Sequence, residues 1–192
     1  MTTKNDVPIY KFISGLALSV GLLLLIPLIA MQFSDEVVWT LSDFIIAGTF
    51  LFGTGLTYKL ITRKSGNVTY RIAIGFALFT WLFLLWVNGA VGIIGSENNP
   101  INLLYFGVIA VGIIGAIIAR FQSNGLIYTM FAMAIAQALI AVVAILGGYH
   151  PNTESAIFEI ITVNGFFIML FIISALIFRF DVIKPLDTLE PQ

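Results

Sequence analysis

Six stretches of about 20 residues, near 12–33, 43–61, 72–94, 103–119, 126–149 and 157–178, run through this chain with few or no charges inside them. A helix of that length is what the ~30 Å hydrocarbon layer of a bilayer requires. The polar segments between them, such as Ser34-Asp35-Glu36 and Gln122-Ser123-Asn124-Gly125, are too short to fold alone. The pattern therefore predicts an all-α, polytopic membrane bundle of six transmembrane helices in one domain over 1–192, with consecutive helices antiparallel. Composition agrees, since 59% of the residues are hydrophobic and 10% charged, against about a quarter charged in a soluble domain.

The first apolar run, after Lys4 and Lys11, has the outline of a signal peptide. Phe12 to Phe33 is uncharged for 22 positions, however, and Leu28 stands where a small residue should precede a cut after Ala30. It reads as a retained anchor. Pro27 is expected to kink it.

Charges separate by sign along the chain. All nine Lys and Arg lie before helix 1, around the second loop, at the end of helix 4 or after helix 6. Asp35, Glu36, Asp43, Glu97, Glu154 and Glu159 occupy the alternate loops and helix ends, with no Lys or Arg among them. Basic residues stay on the cytoplasmic side during insertion, so both termini are predicted to be cytoplasmic and the acidic side to face out. Tyr10, Tyr58 and Tyr70 near the inner boundary, and Trp39, Tyr105 and Tyr149 near the outer one, suit the same edges.

The residue inventory removes several function classes. Net charge is −1, which leaves no basic surface for nucleic acid. With no Cys and a single histidine, His150, thiolate chemistry and an all-histidine metal cage within one subunit are excluded. No Gly-x-Ser-x-Gly elbow, His-Glu-x-x-His pair or P-loop is present. The chain is expected to be non-enzymatic and to hold no cofactor; a membrane enzyme would need a bound cofactor or metal to do the chemistry.

In lipid, helices associate through small residues and a few hydrogen bonds. Gly112, Gly115, Ala116 and Ala119 share a face of helix 4, and Ala134, Gln137, Ala138, Ala141, Ala144 and Gly148 form a similar stripe on helix 5. Asn88, Gly92 and Gly95 line one face of helix 3, and the three faces are expected to touch, as static packing or as a sliding seam. The hexapeptide Ala90-Val91-Gly92-Ile93-Ile94-Gly95 recurs as Ala110 to Gly115, once at the end of an outward-running helix and once midway down an inward-running one. That placement indicates convergence rather than duplication.

Among the polar residues, Asp43, Glu97 and Asn99-Pro100, and Asn152-Thr153-Glu154 stand where even-numbered helices begin, so capping competes with cation or proton binding. Glu159 lies about one turn inside helix 6 and requires a partner or a proton, the candidates being His150, Asn99 and Asn102, or solvent. Asn88 is about 24 Å from the inner end of helix 3 and Asn164 about 10 Å below the outer end of helix 6. They are expected to face one interior space and bond each other or a shared water. Gln137 and Thr54 fall near mid-bilayer as interhelical hydrogen-bonders.

Trp86 to Val108, reading WVNGAVGIIGSENNPINLLYFGV, with Ile114 to Phe121 and Asn164-Gly165-Phe166-Phe167, resembles the signature of a family of small, uncharacterised bacterial multi-pass membrane proteins. The resemblance covers helices 3 to 6; the first two look like an extension carried by some members. It implies a bacterial cytoplasmic membrane location and transfers no catalytic residue. Its matched polar residues, Asn88, Glu97, Asn99, Asn102 and Asn164, all map to the outer half. Two readings follow. One is a binding module whose outward polar cluster takes a partner protein, lipid headgroup or small solute, with the bilayer and another membrane protein or a second copy as partners. The other is a proton- or cation-linked transporter or channel in which Glu159 or Asp43 takes the ion.

Overall fold

A computed structural model describes residues 8–34, 37–63, 65–96, 98–149 and 154–183. It contains six helices: α1 (Ile9–Ala30), α2 (Leu41–Thr62), α3 (Val68–Ala90), α4 (Tyr105–Ile118), α5 (Ser123–Leu146) and α6 (Glu154–Ile183). Counting the 3-10 turn Pro100–Leu104 that leads into α4, all six are long and apolar enough to cross a membrane. There is no strand among the described residues. These are the spans of a multi-pass membrane protein. The chain divides into two compact units, residues 1–60 and 61–192.

In the first unit α1 and α2 run antiparallel. Leu16 sits over Gly55, where an added methyl would lie 2.5 Å from its Cδ1, and Leu24 lies over Gly48. Lys59 Nζ stands 5.2 Å from the centre of the Phe12 ring, a cation–π contact that needs no counter-ion. α1 continues through Pro27 and ends at Ala30, with Val20 its only buried residue. Such a helix presents hydrocarbon nearly all round, which is stable only where the solvent is itself hydrocarbon.

α2 begins with a capping box. The Thr40 amide donates to Asp43 Oδ2 at 2.7 Å, and the Asp43 amide points back at Thr40 Oγ1 at 3.4 Å. Trp39 packs edge-on against Phe44, 5.1 Å between ring centres, as the hydrophobic staple that accompanies such a cap.

In the second unit α6 is the central helix, packing most extensively on α5 and then on α3, while α4 packs on α5. Phe83 of α3 meets Phe167 and Phe166 of α6 at 5.6 and 6.0 Å. The predicted glycine face of α4 packs on α5, but against Met133, Thr129 and Gly125 rather than the expected stripe from Ala134 to Gly148, whose Gln137 faces Asn164 of α6 instead. Gly112 lies against Met133, Gly115 against Thr129 and Gly125 against Ala119, each so close that a side chain in place of the glycine would collide. On the opposite side of α4, Ile113, Ile114, Ile117 and Ile118 are exposed.

The helix boundaries differ from the expected ones where backbone geometry overrides hydropathy. α3 ends at Ala90, four residues early, because Gly92 and Gly95 adopt φ of +73° and +74°. These two glycines therefore do not extend a face of α3, contrary to expectation. The twin hexapeptide shows the contrast directly, being unwound after Ala90 and helical from Ala110 to Gly115. Ile93 and Ile94 of the unwound copy are buried, whereas Ile113 and Ile114 of the helical copy are exposed. α5 stops at Leu146 because Gly148, at φ +66°, closes a Schellman turn in which the Tyr149 amide donates to Ala144 O. α6 runs 30 residues, about 45 Å, so its last turns extend past the hydrocarbon layer.

Candidate functional site

The polar residues of the second unit gather in two layers, one toward each end of the bundle. Arg71, Arg120 and Arg179 stand at the end where α3 and α5 begin, the basic rim; the 91–104 segment lies at the opposite rim.

The layer opposite the basic rim is organised by Asn102, which is 4% exposed. Its Oδ1 accepts from the Ile93 and Ile94 amides at 3.2 and 2.9 Å, and its Nδ2 donates to Ile94 O and Ser96 O at 3.3 and 2.8 Å. One carboxamide thus supplies the hydrogen bonds that an unwound segment lacks internally. Gly92 is required there, since a Cβ would lie 2.6 Å from the Ser96 backbone and 2.7 Å from Asn102 Nδ2. Asn99 caps the 3-10 turn, accepting from the Ile101 amide at 3.2 Å, and donates to Tyr149 O at 2.9 Å, which ties the end of α5 to the start of the α4 arm.

Below it lies the second part of the cluster. Asn164 Oδ1 accepts from the Tyr105 hydroxyl at 2.9 Å and from Gln137 Nε2 at 3.0 Å, while its Nδ2 donates to Ile160 O in its own helix. Asn88 and Asn164 are both interior, as expected, but they do not bond each other. Asn88 Nδ2 donates instead to Asn102 O at 3.2 Å. The physical reason is that the 3-10 turn brings the Asn102 carbonyl, which also accepts from the Tyr105 amide, to Asn88, and the Tyr105 ring that follows it reaches Asn164. Asn88 Oδ1 and Gln137 Oε1 are buried with no hydrogen-bond partner.

Tyr105 was expected at the lipid–water edge and is fully buried. It is the principal residue of this layer that sequence reasoning missed. Its position three residues after Asn102, on one helical face, was the available signal.

The other predicted residues do not join this cluster. Glu159 is exposed on α6 beside exposed Phe158, and no cluster residue bonds it. Asn102 is committed to backbone and Asn99 to Tyr149, so neither serves as its partner. Asp43 belongs to the first unit, where its carboxylate closes the capping box; Thr54 is half-buried in the same unit. Glu97, His150 and the Asn152-Thr153 cap lie outside the described residues.

A second layer at the basic rim was not anticipated. Asp181, in the last turn of α6 and 9% exposed, accepts from Asn67 Nδ2 and from Ser123 Oγ. Asn67 also caps α3 by accepting from the Thr69 amide at 2.9 Å, and Ser123 is the first residue of α5. One carboxylate therefore bonds side chains at the starts of two helices. Beside it the Tyr70 hydroxyl donates to Phe121 O at 2.7 Å. That bond holds the α4–α5 turn, where Arg120 and Phe121 both have positive φ, 49° and 57°, a conformation that costs a side-chain-bearing residue ~1–2 kcal/mol.

No protein-family description, curated protein or solved structure matches this chain.

Proposed function

We propose that this chain is a non-enzymatic protein of a bacterial inner membrane, with both termini cytoplasmic, whose outer rim binds a partner protein, lipid headgroup or small solute. The single observation that carries the reading is the use Asn102 makes of its carboxamide. All four of its bonds hold an otherwise unsupported segment, so the backbone from Ile93 to Ser96 is pre-organised at this rim. A rigid loop on a helical scaffold loses little entropy when it is bound. Exposed Val91, Leu103 and Leu104 flank it with apolar contact area.

The packing between the two polar layers supports binding over transport. From Asn164 toward Asp181, the buried positions of α6 are Phe167, Leu170, Phe171, Ser174, Ala175 and Phe178. The one hydroxyl among them, on Ser174, bonds Leu170 O. On α5 the buried Met133, Met130 and Leu126 continue the apolar stretch, and Thr129 bonds Gly125 O. Below the Asn164 layer a conducted ion would meet only these two hydroxyls, each donating to its own helix, along this seam.

The test has two arms. Proteoliposomes containing the protein should show no proton or potassium flux above empty vesicles, and flux that vanished in Glu159→Gln would replace this reading with the transporter. Because the chain has no cysteine, single cysteines report sidedness directly. Ser96→Cys should react with an impermeant thiol reagent on intact cells and Ser65→Cys should not; the reverse pattern overturns the orientation.

A further inference from the structure

Near the basic rim, a cavity of 410 Å³ opens between the first two turns of α5 and the last turns of α6. Its walls are apolar where they run deepest, with Ile127 and Phe131 on one side and Leu176 on the other. Asn124, Tyr128 and Arg179 supply its polar groups, with Val182 and Ile183 of the last turn of α6 beside them. The groove faces the perimeter of the unit: Tyr128 is 75% exposed, Leu176 43% and Phe131 41%.

We propose that this groove holds one anionic phospholipid, its phosphate against Arg179 and Asn124 and an acyl chain along Ile127, Phe131 and Leu176. The choice of occupant follows from charge and depth. Arg179 is in no ion pair among the described residues. The carboxylate two positions on, Asp181, is buried and already bonded to Asn67 and Ser123. Among the described residues the guanidinium is thus unneutralised. Its flexible stem lets it rise along the apolar wall to the phosphate level. Asn124 is the second residue of α5, so it stands at the boundary of the hydrocarbon layer, and the positive end of the α5 dipole adds to the attraction for an anion. A basic pocket between helices at the membrane surface is suited to an acidic headgroup. The hydrocarbon wall beneath it excludes a free inorganic ion as the sole occupant. This site lies at the end opposite the Asn102 loop and does not depend on what that loop binds.

The test is native mass spectrometry of the full chain, released from detergent micelles holding equimolar phosphatidylglycerol and phosphatidylcholine. Wild type should retain one phosphatidylglycerol at least tenfold over phosphatidylcholine, and millimolar inorganic phosphate should not displace it. Arg179→Gln should lower that retention to the phosphatidylcholine level, and Arg179→Lys should keep most of it. Leu176→Trp, which fills the chain channel without changing charge, should also abolish it. Arg71→Gln, an exposed cation outside the groove, should behave as wild type, and each variant should keep the wild-type melting temperature. Equal retention of the two lipids by wild type overturns the proposal, as does undiminished retention in Arg179→Gln. So does a Tyr128→Cys variant that oxidises quantitatively to a dimer without bound lipid, because a second copy would then cover the groove.

Discussion

The Tyr105 hydroxyl donates to the side-chain oxygen of Asn164 at 2.9 Å, a bond that joins α4 to α6 although α4 packs chiefly on α5. Gln137 of α5 donates to the same oxygen, so three helices share one acceptor. Removing that acceptor orphans two buried donors. Asn164→Leu should therefore cost about 2–4 kcal/mol of stability. Gln137→Leu removes a donor together with an oxygen that has no partner, and should cost less than about 1 kcal/mol. Thermal unfolding in detergent, followed by circular dichroism, distinguishes the pair; equal losses would contradict the shared-acceptor arrangement.

Asn102→Ala leaves the Ile93 and Ile94 amides buried without an acceptor. A loss of about 2–4 kcal/mol is expected. New proteolytic cleavage should appear between Val91 and Asn99 while the helices remain protected, and an unchanged digestion pattern would count against the loop being held by this side chain.

Gly92→Ala places a Cβ 2.6 Å from the Ser96 backbone at a φ of +73°. The conformational part alone costs about 1–2 kcal/mol, and the contact adds to it. Gly89→Ala, at an exposed position with open space around it, should be neutral or slightly stabilising. Comparing the two melting temperatures isolates backbone geometry from helix propensity.

Asp181→Asn removes the charge that faces the starts of α3 and α5. Hydrogen exchange should accelerate in the first turns of both helices at once, with a stability loss of about 1–3 kcal/mol. Acceleration confined to α6 would show that the contacts to Asn67 and Ser123 contribute nothing.

The six spans were legible because an apolar helix long enough to cross a bilayer is an unambiguous periodic signal. So were the glycine face of α4 and the Asn99 cap, each a pattern within one helix or turn. What escaped was whatever depended on distant partners. Nothing local marks Ala90-Val91-Gly92 as a stop when Ala110-Val111-Gly112 is helical; the difference is Asn102, whose amide chemistry supports one copy and not the other. Tyr105 resembled an interfacial aromatic until Asn164 came within reach of its hydroxyl. Asp181 was hidden by its setting, one acid among the basic residues after helix 6, because its partners lie 58 and 114 residues earlier. Conversely Glu159, the residue most conspicuous by hydropathy, stands on the exposed face of α6 and joins nothing in the core.

That long separation bears on how the protein is made. Asn67 leaves the ribosome 114 residues before Asp181 does, an interval of roughly ten seconds at ordinary rates of synthesis. During it the start of α3 has its Asn67 cap and, once the α4–α5 turn is made, the Tyr70–Phe121 bond, but not the carboxylate that joins it to Ser123. The clasp closes when the sixth span is delivered, so the quartet α3–α6 matures as a set rather than helix by helix. A nascent chain halted before that aspartate should meet quality-control proteases with two loose ends already in the membrane.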